Sequence, residues 1–258
     1  MRFFEKTIKY VATAVAALLA VAIVVSILNV VLFLFGGIDN NSSKLTDYSD
    51  SYSVNDVKSI TLDNSIANVN IVSTTDSEIT VECKNVYETF KCSVNSKGVL
   101  TIDNSGSKHG FLSFRIKRSG KITINIPEKF KINVLNLDCG VGNIKIQDIS
   151  MNKLIIDGGV GNAKLTSCVI ENGDFDMGIG NIKLNDCILY DAEIDGGVGN
   201  MDININGDID DYSFDVDGGI GTVRINGEKP GVYSDNKGFY KIKCDSGVGN
   251  IKITGLSL

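Results

Sequence analysis

Two patterns of apolar residues divide the chain. From Val11 to Phe35 the apolar run is broken only by Thr13, Ser26 and Asn29. A helix over those residues is roughly 37 Å long at about 1.5 Å per residue, enough to cross a hydrocarbon core of about 30 Å. The run exceeds the apolar region of a cleaved secretion signal, about 7 to 15 residues, and ends in the bulky Leu32-Phe33-Leu34-Phe35. It predicts an uncleaved transmembrane helix over 11–35. Arg2, Lys6 and Lys9 precede the span, and the first base after it is Lys44. This asymmetry predicts a cytoplasmic basic tail over 1–10 and a single-pass cell-membrane protein whose C-terminal domain is extracytoplasmic. Residues 36–58 are polar and aperiodic, and read as a linker.

Beyond the linker the period changes. A Gly-(Val/Ile)-Gly-(Asn/Thr) tetrad begins at Gly140, Gly159, Gly178, Gly197, Gly219 and Gly247, at spacings of 19, 19, 19, 22 and 28. Within one repeat the apolar positions are Val141, Ile144, Ile146, Ile149, Met151, Leu154 and Ile156. A step of two keeps side chains on one strand face, and a step of three carries the chain round a corner. The spacing therefore predicts three short faces per turn around an apolar interior, a triangular parallel β-helix with rungs of about 19 residues. Six repeated glycine pairs, with no following helix and no P-loop lysine, read as corners needing positive φ rather than as a phosphate cradle. Stacking aligns Asn143, Asn162, Asn181 and Asn200 in an amide ladder.

The phases persist upstream. Ile60, Leu62, Asp63, Ile66, Asn68, Val69 and Ile71 match Leu135, Leu137, Asp138, Val141, Asn143, Ile144 and Ile146. Between them, Ile79–Cys83, Phe90–Val94, Val99–Ile102, Phe111–Lys117 and Ile122–Ile126 alternate like antiparallel hairpins. The predicted fold is all-β: an irregular hairpin-bearing part over 59–129 and a regular β-solenoid over 130–258, preceded by the one transmembrane α-helix.

The segment Ile122–Pro127, the strand Asn133–Leu137 and the serial Asp-x-Gly-Val-Gly-Asn-Ile-Lys-Ile units resemble the bacterial putative-adhesin family. That family is a domain-of-unknown-function group of right-handed β-helices, often tethered by an N-terminal helix. The likeness covers about residues 57 to 258. It implies a cell-envelope role, in some relatives beside antibiotic-stress signalling, and carries over no catalytic residue.

Charge and chemistry narrow the function. Outside the first ten residues there are 30 acids against 22 bases, a poor surface for nucleic acid, which needs a basic face. The one histidine, His109, lies in a polar loop with no orienting partner or nucleophile in the pattern. No catalytic residue and no cofactor is predicted. Cys168 and Cys187 take the inward phase of Ile149, and Cys244 that of Leu137 and Ile156, so they read as buried thiols; Cys83 and Cys92 face each other across a predicted hairpin and are the candidate disulfide. An aspartate lies two residues before each tetrad: Asp138, Asp157, Asp176, Asp195, Asp217 and Asp245. The column reads chiefly as Asx-turns to the glycine corners, with Ca²⁺ binding as the alternative. A parallel column, Lys145, Lys164, Lys183, Arg224 and Lys252, broken by Asp202, is placed to neutralise it.

The leading reading is a membrane-anchored, non-catalytic envelope binding or scaffold module whose partner is an envelope protein or polysaccharide. A stress-sensor accessory protein, coupled through Asn29, and a polysaccharide lyase or hydrolase are the alternatives. Against an enzyme stand the absence of tryptophan and the even repetition of acids. At the C-terminus Ile251, Ile253, Leu256 and Leu258 predict an uncapped last rung inclined to self-associate.

Overall fold

The computed structural model describes residues 45–105, 120–229 and 238–256. The predicted basic tail and span lie outside these residues, and among the described residues no helix is long and apolar enough to cross a membrane. The described chain is all-β. Its strands are β1 (Leu45–Ser53), β2 (Ser59–Thr74), β3 (Glu78–Tyr87), β4 (Lys91–Val94), β5 (Val99–Asn104), β6 (Gly120–Pro127), β7 (Lys131–Val141), β8 (Ile144–Gln147) and β9 (Ser150–Val160). They continue with β10 (Ala163–Thr166), β11 (Val169–Ile179), β12 (Ile182–Val198), β13 (Met201–Asp208), β14 (Tyr212–Asp217), β15 (Val223–Ile225), β16 (Tyr240–Val248) and β17 (Ile251–Leu256).

The 19-residue period becomes a parallel register. Leu135 pairs with Leu154, and Leu154 with Gly173; Ile144 pairs with Ala163, and Ala163 with Ile182. Small residues make room for large ones across these pairs. A Cβ at Gly173 would lie 2.8 Å from the Phe175 ring, which is 1 % exposed. The upstream phases also hold: Ile60, Leu62, Asp63 and Ile66 pair with Leu135, Leu137, Asp138 and Val141, and Val69 and Ile71 with Ile144 and Ile146.

The strands form two hydrogen-bonded ladders where the spacing draws three faces. In β7, β9 and β11 the inward positions step by three in mid-strand, as from Ile132 to Leu135 and from Met151 to Leu154. Two predicted faces therefore belong to one continuous ladder. The tetrads' own apolar residues face solvent instead of the core: Val141, Val160, Val198, Ile220 and Val248 are 37 to 49 % exposed. They sit at the turn from one ladder to the other, where the side chain between two glycines points off the convex edge.

Rung order departs from chain order at both ends. β2 lies between β5–β6 on one side and β7–β8 on the other, parallel to both. At the far end β16 and β17 insert between the rung of β12 and β13 and the rung of β14 and β15. The predicted uncapped C-terminal rung is thus wrong: β17 is paired on both edges, and among the described strands β14–β15 forms the terminal rung. The irregular tetrad spacings of 22 and 28 reflect this detour. Leu256 is 56 % exposed, and Leu258 lies outside the described residues.

The N-terminal part is more regular than its hairpin pattern suggests. Among its described strands only β4 with β5, and β3 with β6 and β1, pair antiparallel; β5 and β6 themselves make a parallel rung with β2. Residues 45–53, read as linker, form β1 along β3, where Tyr48 and Tyr52 pack against the core.

Candidate functional site

The repeat places its polar residues in outward columns. At the glycine corners the second glycine of the inner tetrads has positive φ, as at Gly161 (φ 155°), where a Cβ would lie 1.8 Å from the Gly142 carbonyl oxygen. In the terminal rung the first glycine, Gly219, takes that role at φ 48°. Beside the corners the predicted asparagine ladder is present and longer than foreseen. Asn143 donates to Asn68 Oδ1, and Asn162 and Asn181 each donate backbone N–H and Nδ2 to the Oδ1 of the previous rung at 2.9–3.0 Å. The chain of bonds runs on through Asn200 and Asn250 to Thr222.

The aspartates form one in-register column, Asp103, Asp63, Asp138, Asp157, Asp176, Asp195, Asp245 and Asp217 in spatial order. Of the six predicted aspartates Asp217 makes the Asx-turn, and Asp103 at the opposite end of the column makes an equivalent one. Gly219 N–H donates to Asp217 Oδ1 at 3.0 Å, and Ser105 N–H to Asp103 Oδ1 at 3.0 Å. The second-glycine N–H groups of the inner corners go to the next rung, as Gly142 N–H does to the Val160 carbonyl at 3.0 Å. Asp195 shows the strain of the column: desolvation, then the charge of Asp245, hold its pKa above the usual carboxylate value, opposed by Lys243. Lys243 Nζ lies 3.1 Å from Asp245 Oδ2 and 2.6 Å from Glu193 Oε1. Among the described residues no three His, Cys, Asp or Glu side chains converge to hold a metal ion.

The basic column stands on the other ladder, Lys145, Lys164, Lys183, Asp202, Lys252 and Arg224 in register. It therefore does not neutralise the aspartates within the chain, as its sequence phase suggests. Its internal ion pair is Lys183 with Asp202 at 3.4 Å.

The described cysteines are free thiols. Cys83 and Cys92 are not hairpin partners: Cys83 pairs with Tyr48 and Ile122, Cys92 with Ile102. The turn at Tyr87–Phe90 carries the chain from one ladder to the other, so the two thiols come from different ladders. Burial, then the charge of Cys92, push Cys83 up to about 12. Cys168 and Cys187 are buried as predicted, and donate to the carbonyls of Thr166 and Asn185 at 3.4 Å each. His109 and the predicted hairpin segment Phe111–Lys117 lie outside the described residues.

Two aromatic groups escaped the sequence reading. On β1, Tyr48 and Tyr52 hydroxyls are 3.0 Å apart, and Tyr48 donates to Asp50 at 3.1 Å; the alternation Tyr48, Asp50, Tyr52 was its signal. Near the rung of β14 and β15, Tyr190 meets Tyr240 edge-on with ring centroids 4.8 Å apart, and Tyr240 meets Tyr212 at a tilt with centroids 5.5 Å apart. Their alignment depends on the inserted rung, which spacing does not reveal.

Residues 57–258 match the model of a family described as Toastrack DUF4097. No curated protein matches the chain. Among solved structures it is similar to a putative cell adhesion protein from Clostridium sporogenes, 18% identical, over 83% of this chain and 100% of that one, with a TM-score of 0.47. It is also similar to a putative adhesin from Bacteroides fragilis, 19% identical over 83% and 99%, TM-score 0.46. A putative adhesin from Parabacteroides distasonis is 14% identical over 83% and 98%, TM-score 0.38.

Proposed function

The chain belongs to the Toastrack DUF4097 family, and from that premise we propose that it is a non-catalytic surface-binding or scaffold module of the cell envelope. In this reading the helix over 11–35 tethers it, residues 1–10 lie in the cytoplasm, and the β-solenoid stands outside the membrane. The observation that carries the reading is the repetition of one side chain at each level of the stack. A column such as Asp138, Asp157 and Asp176 makes an extended surface of uniform chemistry, suited to holding a polymer or another extended face. Catalysis instead needs unlike groups converging on one point. The partners that fit are an envelope protein or an envelope polysaccharide.

The test combines topology with binding. Protease added to intact cells or protoplasts is expected to remove the domain and spare the first ten residues. The full chain, immobilised from detergent, is expected to retain an envelope protein or polysaccharide that elutes with salt. A domain protected from protease contradicts the reading.

A further inference from the structure

The two charged columns stand on different ladders, and among the described residues the neighbouring members Asp138, Asp157 and Asp176 of one and Lys145 and Lys164 of the other are in no ion pair. Asp138, Asp157 and Asp176 lie in register on one outer face, and Lys145, Lys164 and Lys183 in register on the other, contributed by the same successive rungs. Like charges stacked about 4.8 Å apart repel, so both columns gain from an opposite charge supplied from outside.

We propose that the basic face of one copy docks laterally on the acidic face of a second copy of this chain, pairing the lysine column with the aspartate column rung by rung. Two observations select this occupant. The faces are opposite in sign, and their axial repeats are equal because one stack generates both. A rigid column of carboxylates with the spacing of the lysine column is thus present on the molecule itself. The outward side chains flanking the bases along each strand are neutral, with Asn143, Asn162 and Asn181 on one side and Gln147, Thr166 and Asn185 on the other; the acid on the rung of Lys145 is Asp148, beyond Gln147, which bonds it at 3.0 Å. The contact joins unlike faces, so it is heterologous and leaves a free acidic and a free basic face at the ends of any row. A tether holding all copies in one orientation favours such rows. The inference goes beyond the proposed function, since it requires only the two faces and no envelope ligand.

The experiment uses the full chain in uncharged detergent micelles, with mass followed by sedimentation velocity. Wild type is expected to associate in about 10 mM salt and to be monomeric in about 1 M salt, where the Debye length falls from about 30 to 3 Å. The variant Lys145→Glu, Lys164→Glu, Lys183→Glu has two acidic faces, and Asp138→Lys, Asp157→Lys, Asp176→Lys has two basic ones. Each alone should remain monomeric at low salt, its self-association weakened at least tenfold. Mixed one to one they should associate again, a rescue that misfolded variants cannot give; circular dichroism confirms their strand content. A wild type monomeric at low salt, association unmoved by salt, or a mixture that stays monomeric overturns the proposal. So does wild type that ignores its own copies but binds a soluble polyanion such as dextran sulfate through Lys145 and Lys164.

Discussion

Gly161 and Gly227 both have positive φ, yet different neighbours make them unequal. At Gly161 an added methyl meets the Gly142 carbonyl oxygen at 1.8 Å, whereas at Gly227 (φ 86°) nothing lies within 4 Å. Gly161→Ala must push two rungs apart and is expected to cost upwards of ~4 kcal/mol, while Gly227→Ala costs about 1 kcal/mol of backbone strain. Denaturant unfolding of the full chain in micelles checks both, and equal costs would deny the close approach of the corners. Asp195 gives a pH test. Its folded-state pKa is raised above 3.8 by desolvation and by Asp245, so the folded chain binds this proton more tightly than the unfolded one, and the stabilising effect of protonation grows as pH falls through the raised value toward 3.8. Asp195→Asn removes the repulsion in advance. It should stabilise by about 1 kcal/mol at pH 7, the scale of one charge pair about 4.8 Å apart in water, and its advantage should vanish near pH 4. A variant less stable than wild type at pH 7 would mean that Asp195 is bonded favourably.

Among the elements, legibility follows the range of the interaction. The pairing of Ile60 with Leu135 and the asparagine ladder are visible in the sequence because in-register stacking repeats one chemistry at one phase. The insertion of β16–β17 is not visible, since nothing in the phase of Ile251 says which rung it will touch. Val141 misleads for another reason: an apolar residue between glycines satisfies the spacing of a core position while the backbone turns it outward. Cys83 and Cys92 mislead because an alternating segment does not name its partner strand. The inserted order has a dynamic consequence. Among the described strands β14 pairs only with β16 and β15 only with β17, whereas β9 and β11 are flanked on both sides. Amide hydrogen exchange should therefore be fastest in β14 and β15 and slowest in β9 and β11; uniform protection would contradict the terminal position of β14–β15.

At the scale of the whole molecule, one repeated unit sets the core, the corner hydrogen bonds and two outward faces of opposite charge, and the binding role proposed for those faces depends on the rungs stacking in register. Register at the far end in turn depends on the rung order, which sets Lys252 between Asp202 and Arg224. Paired histidines measure this directly. In the full chain, Asp202→His with Lys252→His places two imidazoles on adjacent rungs about 4.8 Å apart, within reach of one Ni²⁺ ion. Asp202→His with Arg224→His places them about twice as far apart. Ni²⁺ at a hundredfold excess over its dissociation constant should stabilise the first pair by about 2.7 kcal/mol and leave the second unchanged. Stabilisation of the Asp202 and Arg224 pair alone would show rungs stacked in chain order and contradict the account.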